Sequence, residues 1–155
     1  MVPGIKQLRA VRTCSSTDRQ LLVMAGVLLS IVRLGLWCLP FRYILHLVGR
    51  VAQLPCTQRA SEGALARTTD EQTVWAVRAT SRYVPDATCL TQALVTQILL
   101  ALRGHESHLR IGVAKDGHGR LEAHAWVERE GCVLIGSLPN LTRFVQLPAL
   151  EQVHS

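Results

Sequence analysis

The sequence has no Cys-X-X-Cys pair, and its five cysteines, at 14, 38, 56, 89 and 132, are odd in number and widely scattered. This excludes a disulfide framework and points to free thiols in a reducing, cytoplasmic setting. No internal repeat and no low-complexity tract is present, which removes solenoids, propellers and coiled-coil arrays. Charge is scarce at 18%, and acid is nearly missing from residues 1–60, where Asp18 stands alone against eight Lys or Arg. Residues 61–155 hold nine basic against ten acidic side chains and are close to neutral. The basic residues of the first part are spread singly among apolar ones, never in a block. No finger, RRM or basic-zipper pattern accompanies them, so nucleic acid is not an expected partner. A cationic helical surface facing an acidic partner or anionic lipid suits this charge better.

What is present is an apolar chain of 155 residues, 48% hydrophobic, long enough for one domain with a core stable alone. Its longest apolar run, LLVMAGVLLSIVRLGLWCLPF at 21–41, is broken by Arg33. A spanning helix needs about 20 apolar residues, and a central Arg costs roughly 2.5–3.5 kcal/mol on insertion scales. No small-residue cleavage site follows, so a signal peptide fits poorly. The run is expected to be a buried helix of a soluble protein, with peripheral membrane contact as the alternative.

Residues 1–15 read as a mobile basic end. Residues 16–50 read as a helical segment. Thr17 is the expected N-cap with Gln20 at N3, and Pro40 ends the helix near Cys38. A short second helix should run from Phe41 to Val48 and close at Gly49. Residues 51–67, with Pro55 and Gly63, read as a linker. Residues 68–155 are expected to form the core. Thr68-Thr69-Asp70-Glu71 is a capping box for a helix to about Tyr83, and Val84–Thr88 turns the chain into Cys89. The segment Cys89–Arg103 is apolar on nearly every face, as a central buried helix would be, with Gly104 as its stop.

From Leu109 the apolar period changes to two. Lys115–Gly119 and Glu130-Gly131 are hairpin turns between three antiparallel strands. On the middle strand Ala125 and Val127 share one face, while His124, Trp126 and Glu128 share the other, which reads as polar. The fold class is therefore α+β, with N-terminal helices and a buried Cys-bearing helix packed on a small antiparallel sheet.

Two residues carry chemistry. Cys89 opens the apolar helix, and His124 follows 35 residues later on a strand, within Ala-His-Ala-Trp-Val-Glu. Unpaired N–H groups at a helix start stabilise a thiolate, and the same amides can hold a tetrahedral oxyanion. An imidazole nearby can protonate a leaving amine and then activate water. A lone buried cysteine is most often core filling and a lone strand histidine structural. Their conjunction, with Cys89 at the helix start, favours a cysteine hydrolase or acyl transferase.

The run CLTQALVTQILLALRGHESHLRIGVAKDGHGRLEAHAWVEREGCVLIG resembles the stand-alone B protein of lasso peptide biosynthesis, a transglutaminase-like leader peptidase. LPFRYILHLVGR and SRYVPDATCL add to the resemblance, which covers roughly residues 20–147. It implies a transglutaminase- or papain-like fold, with Cys89 as nucleophile and His124 as base. It implies removal of a leader from a lasso precursor peptide, and no cofactor in the peptidase. It also implies two partners, a separate leader-recognition protein and an asparagine-synthetase-like, ATP-dependent cyclase. The family commonly places an acid about twelve residues after the histidine, where this chain has Gly136. An acidic side chain restored there is expected to be tolerated. Asn140, a water or a backbone carbonyl could orient His124 instead. Glu128 lies roughly 13 Å along the strand, too far for direct contact.

Gln92, one turn beyond Cys89, could face the thiol, although a polar residue on the helix's less buried side is the plainer reading. Trp126 is expected to pack rather than wall a cleft. His105, His108 and His118 lack the Cys or carboxylate spacing of a metal site. Cys14, Cys38, Cys56 and Cys132 are expected to be inert, Cys38 in an apolar helix and Cys132 in a strand. An amide-acyl transferase and a non-catalytic docking module of the lasso synthetase are the rival functions.

Overall fold

The computed structural model describes residues 15–53 and 69–148. The basic end at 1–14, most of the expected linker, and Cys14 and Cys56 lie outside the described residues. Helix α1, Ser16–Cys38, is capped by Ser15, whose N–H donates to the Asp18 carboxylate at 3.0 Å. The capping box therefore sits two residues earlier than Thr17–Gln20. Asp18 reaches the cap N–H and places a negative charge at the positive end of the helix. Leu39, before Pro40, is extended and ends the helix as expected.

Helix α2, Phe41–Gln53, runs straight through Gly49. Gly49 does not take the left-handed backbone that a stop requires, so residues 51–53, read as linker, are helical. Helix α3, Asp70–Ser81, is capped by Thr69, which pairs reciprocally with Gln72 at 3.1 and 2.8 Å. That box is one residue later than expected. Helix α4, Cys89–Ala101, follows Thr88 and ends before Gly104, which has a φ of 74°.

The sheet comprises β1 (His108–Lys115), β2 (Leu121–Arg129), β3 (Cys132–Ile135) and β4 (Val145–Gln146). Its order is β3-β2-β1-β4, and every pairing is antiparallel. The expected three-stranded meander thus gains a fourth strand. Two residues are too short a run to show alternation in a sequence.

One side of the sheet packs on the helices. Ala125, Val127 and Ile135 join Leu21, Leu29, Val77, Leu94 and Leu99 in the main core. Truncating a fully buried leucine such as Leu94 or Leu99 to alanine should cost about 2–5 kcal/mol. The other side, read as polar, carries a second small core of Ala114, Trp126 and Phe144, with Leu138 and Leu141 packed against it. Trp126 is 1% exposed. The segment after β3 folds back over this face and covers it.

A charged cluster ties α3 to both ends of the core. Asp70 pairs with Arg103 beyond α4 at 3.4 Å, with His105 at 2.9 Å, and with Arg129 at the end of β2. Arg103 is buried and also donates to the Thr73 hydroxyl at 2.9 Å.

Candidate active site

Cys89 is the first residue of α4, and its side chain is half-buried at the margin of the main core. Thr88 accepts from the Thr91 N–H at 3.4 Å, and the Gln92 N–H bonds the Thr88 carbonyl at 3.1 Å. The N–H groups of Cys89 and Leu90 have no partner among the described residues. These are the orphan donors of a helix start, and they can receive a developing negative charge.

The turn that delivers Cys89 is held from two sides. The Gln92 carboxamide donates to the Ala87 carbonyl at 3.1 Å. Arg33 of α1 donates to Asp86 at 3.2 Å, where Asp86 has a φ of 55°. Arg33, the charge that breaks the apolar run, thus braces the approach to the thiol. Gln92 acts on the turn through that amide.

His124 sits near the middle of β2, on the face that carries Trp126. Its ring stacks with the Trp126 indole at 6.2 Å between centroids and lies tilted against Phe144 at 5.5 Å. Its Nε2 lies 2.7 Å from the Gly136 carbonyl oxygen. A carbonyl can only accept, so Nε2 carries the proton and Nδ1 of the neutral ring keeps a lone pair. In that tautomer Nδ1 is the nitrogen able to accept a proton.

Behind the ring a polar chain fixes Trp126. Its Nε1–H donates to Glu128 at 2.7 Å, and Arg110 donates to the same carboxylate at 3.3 Å. Glu128 does not reach His124, as its distance along the strand implies, but holds the indole on which His124 stacks. Across the ladder from His124 is Gly112. A Cβ there would meet Phe144 at 2.9 Å and Trp126 at 3.0 Å, so only glycine lets both rings close on the histidine.

Asn140 is exposed, at the start of a short 3-10 turn over Leu141–Arg143, and its side chain caps nothing. Helix α4 packs on β2 from the side of Ala125 and Val127, whereas His124 lies on the other face of the strand, with Trp126 and Phe144. No hydrogen bond joins the Cys89 thiol to His124 among the described residues. Cys38 and Cys132 are both exposed, more so than the half-buried Cys89, so burial does not account for the inertness expected of them.

Sequence reasoning missed Phe144 and the indirect role of Glu128. Phe144, within Leu-Thr-Arg-Phe-Val after the last hairpin strand, was the available signal for the first. The small pair Gly112 and Ala114, opposite His124 and Glu122, was the signal that this face is covered.

A family model described as the transglutaminase-like superfamily matches residues 35–149. No curated protein and no solved structure gives a significant match.

Proposed function

The chain belongs to the transglutaminase-like superfamily, and from that premise we propose that it is a cysteine peptidase that removes the leader from a lasso precursor peptide. Members of this superfamily are typically cysteine-dependent enzymes. The observation that carries the reading is the unpaired N–H pair at the start of α4, in the chain stretch that also bears Cys89.

In the proposed reaction the Cys89 thiolate attacks the scissile carbonyl, and the N–H groups of Cys89 and Leu90 bind the oxyanion. The C–N bond breaks and the amine leaves with the proton that His124 took from the thiol. Water then attacks the thioester, giving its proton to Nδ1 of His124, and the leader departs as a carboxylic acid. No metal or cofactor takes part. Gly136 supports this ring orientation through its carbonyl, in place of the family's acid.

Three further elements rest on the resemblance. The substrate is a lasso precursor, the leader is gripped by a separate recognition protein, and the freed core peptide passes to an ATP-dependent cyclase. Such a grip raises the local concentration of the scissile bond. The test is a reconstituted reaction of full-length precursor, recognition protein and this chain, read by mass spectrometry. Leader plus core, with one water added, is expected. A product joined to an added amine would instead favour the acyl transferase. An inert chain that still co-purifies with the cyclase would favour the docking module.

A further inference from the structure

From Leu21 to Cys38 helix α1 is apolar apart from Ser30 and Arg33, yet only its inner side is covered. Leu21, Ala25 and Leu29 are fully buried in the main core. On the opposite side Val23, Val27, Ile31, Leu34 and Trp37 are exposed by 67, 53, 58, 59 and 80%. They recur every three or four residues and so form one row, about 21 Å long at 1.5 Å per residue. Single exposed apolar residues are ordinary, but a continuous row of this length is not.

We propose that this outward face of α1 docks on an anionic lipid bilayer, with the helix lying in the membrane plane. Charge selects that occupant. Among described residues up to 53 the arginines at 19, 33, 42 and 50 face only one acid, Asp18, which is engaged at its own helix cap. Arg33 is taken by Asp86, leaving Arg19 at one end of the row and Arg42 and Arg50 beyond the other. A second copy would bring like charges together, whereas anionic headgroups would neutralise them.

The aromatic residues agree with this placement. Trp37 closes the row, and Tyr43 follows at 55% exposure with Arg42 stacked on its ring at 5.1 Å. Such side chains favour the headgroup level, with an apolar body and a polar tip. Ser30 falls on the same face, but its hydroxyl donates to the Gly26 carbonyl at 2.9 Å and needs no water. Helix α1 does not cross the bilayer in this fold, because its inner side is packed on α3 and α4. The inference stands independently of the peptidase reading.

The experiment is co-sedimentation of the full chain with phosphatidylcholine vesicles, with and without phosphatidylglycerol. Binding should be at least about tenfold stronger to the anionic vesicles and be released by 1 M salt. The Ile31→Asp/Leu34→Asp double variant should lose at least about tenfold, since two charges would enter the interface. Far-UV circular dichroism establishes that the variant folds. Trp37 supplies a second readout that needs no such variant: wild-type emission should shift to the blue on anionic vesicles, and the Trp37→Phe protein should show no shift. Absence of binding to anionic vesicles, equal binding to neutral ones, or an undiminished double variant overturns the proposal. So does a dimer in vesicle-free solution that the same double variant dissolves, which would assign the face to a second copy.

Discussion

His124 and Gly136 are joined at 2.7 Å, imidazole Nε2 to backbone carbonyl, at the position where the resembled lasso family carries an acidic side chain. The carbonyl fixes the tautomer as a carboxylate would, by accepting from Nε2–H. It differs in carrying no full charge to stabilise an imidazolium. The bond depends on how the chain leaves β3, and that exit depends on a glycine. Gly136 has a φ of 84°, a region that side chains with a Cβ rarely occupy.

Gly136→Asp should therefore be destructive, contrary to the expectation drawn from the family pattern. A Cβ at 136 would lie 2.6 Å from the Ala125 carbonyl oxygen and 2.7 Å from the Trp126 Cβ. Both neighbours belong to the middle strand and cannot yield. Gly136→Ala already suffers the clash and the positive φ, at roughly 1–3 kcal/mol for each cause. Urea unfolding should show both variants with lowered midpoints, the aspartate at least as low as the alanine. A Gly136→Asp protein of wild-type stability and higher activity would show that the exit from β3 can be rebuilt around an acid.

Cys89→Ala and His124→Ala should each abolish leader removal. The cysteine variant should leave the unfolding midpoint nearly unchanged. The histidine variant should lose about 1–3 kcal/mol of stability, since it strips the Gly136 carbonyl of its partner and Trp126 and Phe144 of a ring contact. Loss of a general base alone typically lowers the rate by about 10²–10⁴-fold. Asn140→Ala should be silent in the same assay, because the side chain is exposed and caps nothing. Near-wild-type cleavage by either of the first two variants would end the hydrolase reading.

Where the sequence was legible, a local rule dictated the outcome. Cys89 opens a helix because Thr88 precedes a largely apolar run, and Glu130-Gly131 turns the chain with both residues at positive φ, 52° and 79°. Gly49 shows the limit of such rules. A glycine stops a helix only where the chain has reason to turn, and packing of Ile44 and Val48 carries α2 past it. The face of β2 bearing His124 was misread for a non-local reason. Phe144 covers it from twenty residues away, and nothing in the alternation of β2 itself announces that cover.

Glu128 should matter to activity without touching the reacting atoms. Its carboxylate accepts from the buried Trp126 indole, and the indole supports the His124 ring. Glu128→Ala leaves that N–H unpaired at about 1–3 kcal/mol and frees the indole to move. Glu128→Gln keeps an acceptor and should restore most of the loss. The effect should fall on kcat, with KM little changed. Equal damage from Gln and Ala would indicate that charge pairing with Arg110, not the indole bond, is what counts.

Asp70 predicts the acid limit of the fold. Burial raises its pKa, but the hydrogen bond with His105 and the charge of Arg129 more than offset this, leaving it below the ordinary 3.8. A carboxylate whose folded pKa is depressed contributes stability above its unfolded pKa and loses it as pH falls through the folded value. Stability should therefore hold to about pH 4 as far as Asp70 is concerned and then decline below 3.8. Asp70→Asn removes the partner of Arg103, whose side chain is only 3% exposed. The cost at neutral pH should be on the order of 2 kcal/mol, less than the roughly 3–5 of a fully buried pair, because Asp70 keeps some contact with water. Chemical unfolding at a series of pH values tests both halves. The variant should be weaker than wild type at pH 7, and the gap should narrow as pH drops below 3.8, because protonation removes in the wild type what the substitution has already removed. A gap that stays constant to pH 2 would mean that Asp70 contributes through packing and hydrogen-bond geometry, not through its charge.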